Sequence, residues 1–289
     1  MAKRLEYHVV DVFTDRTFAG NPLAVVLDAD GVADAALQAI AAEFNLSETA
    51  FPVTPDVGDS ADYRLRIFTP ESELPFAGHP SVGTAWLLTD LGRVRSGRLH
   101  QRCGAGLLPL DVRADGFVEL TAGTPSASGP VDPAPLLAAV GLTTEDADGP
   151  PPRRCSTGLM TGFLSVTEDA VVRASPDLAA LRRLDVETLS VFAWHGDERR
   201  AHARVFAASL GVPEDPATGS AAAAFGAWLA ASGLVIPEGE TAYVVTQGVE
   251  MGRPSRLECA VVTRDGVAVE CRVGGRVVPV ATGTIAVPN

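Results

Sequence analysis

The chain has 289 residues with 36 acidic against 23 basic side chains, a net charge of −13 at pH 7 and a pI near 4.8. That balance excludes a surface built to offset nucleic-acid or anionic-membrane phosphate and leaves small molecules or other protein as partners. Hydrophobic residues are 46% and charged residues 20% of a chain long enough for two cores, so the composition is that of a globular protein of two domains.

Met1 to Phe13 alternates polar and apolar residues, which predicts a first strand rather than a signal peptide. No run reaches the roughly 18 apolar residues of a membrane span, and a cytoplasmic location is expected. Pre-proline Asn21 is extended and leads into an apolar strand, Leu23 to Leu27. Ala33, Ala36, Leu37, Ile40, Ala41 and Phe44 recur at helical spacing, and Asn45 is a C-cap candidate. The next strand runs from Leu46 to Val53, where alternation puts Glu48 on one face with Leu46 and Ala50. A carboxylate on such a face stands either at the mouth of a pocket or at an exposed edge. Tyr63 to Phe68 is a strand, and Thr69 to His79, rich in Pro and Gly, is an ordered loop. Ala114-Asp115-Gly116 and Asp265-Gly266 are hairpin turns. Ala122 to Pro135 is rich in Pro, Gly, Ser and Ala and is expected to link domains at 1–122 and 123–289, with the last strand returning to the first. Cys103, Cys155, Cys259 and Cys271 form no CxxC pair and have no neighbouring histidine, so buried free thiols are expected rather than a metal or redox site.

Glu214-Asp215-Pro216-Ala217-Thr218-Gly219-Ser220-Ala221 opens an apolar helix, Ala222 to Ala231, whose surroundings must be protein on every side. With Asp215 as N-cap and Pro216 as first helical residue, Gly219 and Ser220 fall in the first turn, where free N–H groups and the helix dipole can hold an anion such as a carboxylate. A well-capped core helix without chemistry is the other reading. The chain holds the same phrase earlier: His79 to Ala85 aligns with Asp215 to Ala221 at an offset of 215 − 79 = 136, and Leu23 to Phe51 matches Phe163 to Val191 at 163 − 23 = 140. Such self-similarity predicts two like domains, each presenting one helix N-terminus to a cleft between them. Strands and helices alternate without βαβ spacing or a dinucleotide glycine motif, so the expected class is α+β, a curved barrel-like sheet around a central helix in each domain.

Gly20-Asn21-Pro22, Asn45 to Phe51, Gly78-His79-Pro80, Glu214 to Ala221 and Gln247 to Ser255 together resemble the PhzF family of phenazine-biosynthesis isomerases, a branch of the diaminopimelate-epimerase-like fold. The resemblance covers nearly the whole chain. It implies a cofactor-free and commonly homodimeric enzyme in which Glu48 is the general acid/base, with His79 and Asp215 beside it. It also implies that Gly78, Gly219 and Ser220 receive the substrate carboxylate or its neighbours. Where related epimerases place two catalytic cysteines, this chain has His79-Pro80 and Asp215-Pro216, which disfavours cysteine-based racemisation.

Residue chemistry leads the same way, because a carboxylate on an apolar face has its pKa raised towards neutrality and a histidine can donate or accept near pH 7. The other reading of His79 is a loop histidine that caps a helix, but it occupies the place that Asp215 holds in the other half. His8, His100, His195 and His202 have no counterpart and read as structural or exposed, and Glu71, Glu73 and Glu250 as solvated charges. The expected function is a metal-free, cofactor-independent isomerase of a small carboxylate-bearing metabolite. An epimerase on another substrate and a non-catalytic binding protein are the alternatives.

Overall fold

The computed structural model describes residues 3–288 and divides into unit 1, Met1–Leu120 with Gly274–Asn289, and unit 2, Thr121–Val273. Unit 1 begins with β1 (Arg4–Val12), β2 (Asn21–Val26), α1 (Asp34–Phe44), β3 (Thr49–Val53), β4 (Tyr63–Phe68) and β5 (Glu73–Leu74). It continues with α2 (Gly78–Asp90), β6 (Gly97–Cys103), β7 (Gly106–Val112) and β8 (Val118–Thr121). Unit 2 starts with β9 (Ser126–Pro130), α3 (Pro133–Ala139), β10 (Arg153–Ser156), β11 (Met160–Ser165), α4 (Glu168–Arg173), α5 (Leu178–Leu181) and β12 (Thr188–His195). It goes on with β13 (Arg200–Ala207), β14 (Val212–Asp215), α6 (Gly219–Ala231), β15 (Gly239–Gln247), β16 (Ser255–Arg264) and β17 (Val267–Gly275). The final strand, β18 (Val277–Ala286), pairs antiparallel with β1 in unit 1.

The duplication is visible strand by strand. In unit 1, β1 and β2 are antiparallel, β2 and β3 parallel, β3 and β4 antiparallel, and β4 pairs β5 antiparallel and β6 parallel. In unit 2, β10 and β11 are antiparallel, β11 and β12 parallel, β12 and β13 antiparallel, and β13 pairs β14 antiparallel and β15 parallel. Each parallel pair is bridged by helix: α1 or α2 in unit 1, α4 with α5 or α6 in unit 2. Parallel neighbours need such a crossover, so the α+β class holds while the expected lack of βαβ connections does not. The segment Ala122 to Pro135, read as a linker, contains β9, which pairs with β10, and the start of α3.

α1 buries Leu37, Ile40 and Ala41 against Leu5, Val26, Phe51 and Phe68, and ends where Asn45 turns left-handed at φ 51° with its N–H on Ala41 O. α2 and α6 are buried nearly all round, as their lack of a polar face requires. In α6, Phe225 stacks on Trp228, and Phe192 of β12 meets both edge-on. Gly226 lets β15 and β16 come close, because a Cβ there would lie 2.8 Å from both the Tyr243 hydroxyl and Val261 Cβ.

Three local expectations are corrected. α6 starts at Gly219 with Thr218 as N-cap, so Asp215 is the last residue of β14 and not the cap. The starts of α2 and α6 are 219 − 78 = 141 residues apart, close to the upstream offset of 140, so Ser220 rather than Asp215 occupies His79's place in its helix. Likewise β3 begins at Thr49, which leaves Glu48 in the turn before it rather than on the alternating face.

Candidate active site

Unit 1 assembles Asn21, Ser47, Glu48 and His79 from three connections. Gly20 sets the first, at φ 66°: a Cβ there would be 2.3 Å from Val12 O, so only glycine lets the chain turn into β2 at Asn21. The left-handed cap at Asn45 sets the second and delivers Ser47 and Glu48. The third is the opening of α2, with Ala77 as N-cap, Gly78 first and His79 second.

Ser47 Oγ donates to Asn21 Oδ1 at 3.3 Å, which leaves the Asn21 amide nitrogen to donate to His79 Nδ1 at 3.2 Å. An Nδ1 that accepts must carry no proton, so the neutral ring has its hydrogen on Nε2. That atom is buried, makes no hydrogen bond among the described residues, and stands 3.6 Å from Glu48 Oε2. Burial pushes the His79 imidazole down to about 3, so the contact is one between a neutral ring and a carboxyl group rather than an ion pair. The side chain of Glu48 is 15% exposed, which counts against the exposed-edge reading of this residue.

Unit 2 places Asp215, 8% exposed, at the end of β14, and Gly219 and Ser220 in the first turn of α6. Glu214 is gripped by Arg204 through two bonds of 2.8 Å, while Arg204 also donates to Ala174 O at the end of α4. Gly248, at φ 74°, packs against this segment: a Cβ would sit 2.6 Å from Pro216 O and 2.5 Å from Arg253 O. Gly248→Ala is therefore expected to cost about 1–3 kcal/mol, through strain at positive φ and a displaced Pro216. Urea unfolding measures this, and an unchanged midpoint would show that the loop yields freely.

Glu250 is corrected: its side chain is 14% exposed and lies 2.9 Å from Nε2 of buried His202, whose Nδ1 is 2.7 Å from Glu168. Glu73 is held by Arg66 through both carboxylate oxygens. The four cysteines are free and buried, and burial raises Cys103 and pushes Cys155 and Cys271 up to about 12. Thiols held protonated in this way are poor bases. Among the described residues no group of three or more His, Cys, Asp or Glu side chains could hold a metal ion, and no helix is long and apolar enough to cross a membrane. Asn21, Ser47, Thr218 and Gln247 also take part, and the only sequence signal for them is that they lie within the motif phrases Gly20-Asn21-Pro22, Asn45 to Phe51, Glu214 to Ala221 and Gln247 to Ser255.

The family model described as phenazine biosynthesis-like protein matches residues 10–283. The chain belongs to the PhzF family. The trans-2,3-dihydro-3-hydroxyanthranilate isomerase of Pseudomonas aeruginosa is 38% identical over 257 residues, covering 87% of this chain and 88% of that protein. An uncharacterized isomerase of Mesorhizobium japonicum is 35% identical over 96% of this chain and 98% of its own length. Among solved structures, a PhzF-family protein of Bacillus anthracis superposes with TM-score 0.88 at 28% identity, over 98% of this chain and 99% of that one. A hydroxyproline epimerase of Agrobacterium vitis, at TM-score 0.69 and 13% identity over 100% and 95%, shares the fold. This PhzF-family chain is thus an enzyme of isomerase or epimerase type.

Proposed function

We propose that the enzyme is a cofactor-independent isomerase of a small carboxylate-bearing metabolite, in which Glu48 takes a proton from one carbon and returns it to another. The observation that carries this reading is the pairing of Glu48 Oε2 with a neutral His79 whose Nε2 hydrogen is fixed by Asn21. A proton shift needs one group that can accept and return a proton, and an electrophilic donor that stays neutral while charge builds on the substrate. Glu48 fits the first role and His79 the second. Asp215 supplies an acceptor for a substrate amine or hydroxyl, and the free N–H groups of the helix openings at Gly78, Gly219 and Ser220 receive the carboxylate. Epimerisation through paired cysteines has no support in thiols that burial keeps protonated.

Trans-2,3-dihydro-3-hydroxyanthranilate, the substrate named for the P. aeruginosa relative, is the first compound to test. Incubation in deuterium oxide should convert it, with solvent deuterium at one product carbon where the carried proton exchanges before return. Conversion of proline or hydroxyproline enantiomers instead would favour the epimerase reading. We further propose that the enzyme works in the cytoplasm as a homodimer without a bound metal. Light scattering should give twice the 30.0 kDa chain mass, and elemental analysis no stoichiometric metal.

A further inference from the structure

Asp215 and Thr218 share a short hydrogen bond, 2.6 Å between Oδ2 and Oγ1, and the group that determines its direction is Gln247. Gln247, 1% exposed, meets two backbone groups of fixed polarity: its Oε1 accepts from the Thr218 N–H at 3.2 Å, and its Nε2 donates to Asp215 O at 2.7 Å. A peptide N–H can only donate and a peptide C=O only accept, so the amide has one orientation. Its Nε2 also lies 3.0 Å from Thr218 Oγ1, which must therefore accept from it. A hydroxyl that accepts there has its own hydrogen to give to Asp215.

We propose that Thr218, with its hydroxyl aimed by Gln247, is a positioning residue that holds Asp215 as an oriented carboxylate, so that Asp215 receives a hydrogen from the ligand and does not deliver one. This rests on the reading of Asp215 as a site residue and deepens it: the partner group on the ligand is a donor, an amine or a hydroxyl. A carboxylate is a stronger hydrogen-bond acceptor than a carboxylic acid, so the Thr218 hydrogen on Oδ2 favours the charged form of Asp215. The backbone supports the clamp from behind, since Gly248 follows Gln247 directly and packs on Pro216 O.

The test is a carbon-13 titration of the Asp215 carboxyl in the full chain, its signal identified by loss in Asp215→Asn. Thr218→Val should move the midpoint up by about one pH unit. Thr218→Ser should restore it, and Gln247→Leu should move it upward by less. A wild-type midpoint in a Thr218→Val protein of unchanged melting temperature would overturn the proposal. If valine unfolds the segment, Thr218→Ala, which only removes atoms, is read against the same outcomes. Turnover of trans-2,3-dihydro-3-hydroxyanthranilate by Asp215→Asn separates the two ideas. An inactive Asp215→Asn with no titration shift in Thr218→Val would remove the positioning role alone. A shifted titration with full activity in Asp215→Asn would keep the clamp and remove Asp215 from catalysis.

Discussion

Glu48→Gln is expected to fold as the wild type and to lose between about 10²-fold and 10⁴-fold in turnover, with ligand binding retained. Glutamine has the size of glutamate and can still face the His79 Nε2 hydrogen with its amide oxygen, so the packing around it is kept. What disappears is the ability to take up and return a proton. His79 cannot substitute, because its Nδ1 is engaged by Asn21 and burial keeps the ring from protonating. The informative comparison sets turnover and melting temperature side by side. Unaltered activity at an unaltered melting temperature would show that Glu48 is a carboxylate without chemical work to do, and the function proposed for the enzyme would go with it. A loss of activity accompanied by a lowered melting temperature calls for Glu48→Asp, which keeps the acid and withdraws it by one methylene. Partial activity there, against none with glutamine, assigns the loss to the proton.

Those parts of the fold that depend on neighbours in sequence were legible. The 3.6-residue spacing of α1 and the left-handed cap at Asn45 follow from local chemistry, as does the Asp265-Gly266 turn, where both residues have positive φ. Self-similarity at an offset of 140 anticipated that β2, α1 and β3 would recur as β11, a helical segment and β12. Pairing direction was not legible, because an apolar run looks the same whether its neighbour runs parallel or antiparallel. Pro216 misled in a different way: its fixed φ suits a first helical residue, yet Ala217 and Thr218 intervene before α6. Hydrogen bonds to Gln247, thirty-two residues along the chain from Asp215, hold that stretch out of the helix. Glu48 and His79 lie in the motif phrases, but the tautomer on which the role proposed for His79 rests depends on Asn21 and Ser47, which only the folded turns bring together.

The enzyme should also lose stability in mild acid, and His79 should account for a large part of the loss. Its folded value of about 3 lies below the ordinary 6.5 of an unfolded histidine. Between those limits the unfolded chain binds a proton that the folded chain refuses, so stability rises with pH across this window. The contribution is fully retained above pH 6.5 and drains away as pH falls towards 3. At pH 4 the deficit is 2.5 pH units at 1.36 kcal/mol each, about 3 kcal/mol. Glu48, 3.6 Å away, acts in the opposite direction wherever it is ionised, so this is an upper value. His79→Gln has no proton to refuse there. It should be the less stable protein at pH 7, where its amide replaces a buried ring, and should approach or pass the wild type by pH 4. Urea unfolding at pH 7, 5.5 and 4 gives both curves, and curves that stay parallel would show that the buried imidazole is protonated in the folded state after all. That result would also recast His79 as a cation beside Glu48, which would then act as its counter-ion and not as a base free to take a substrate proton.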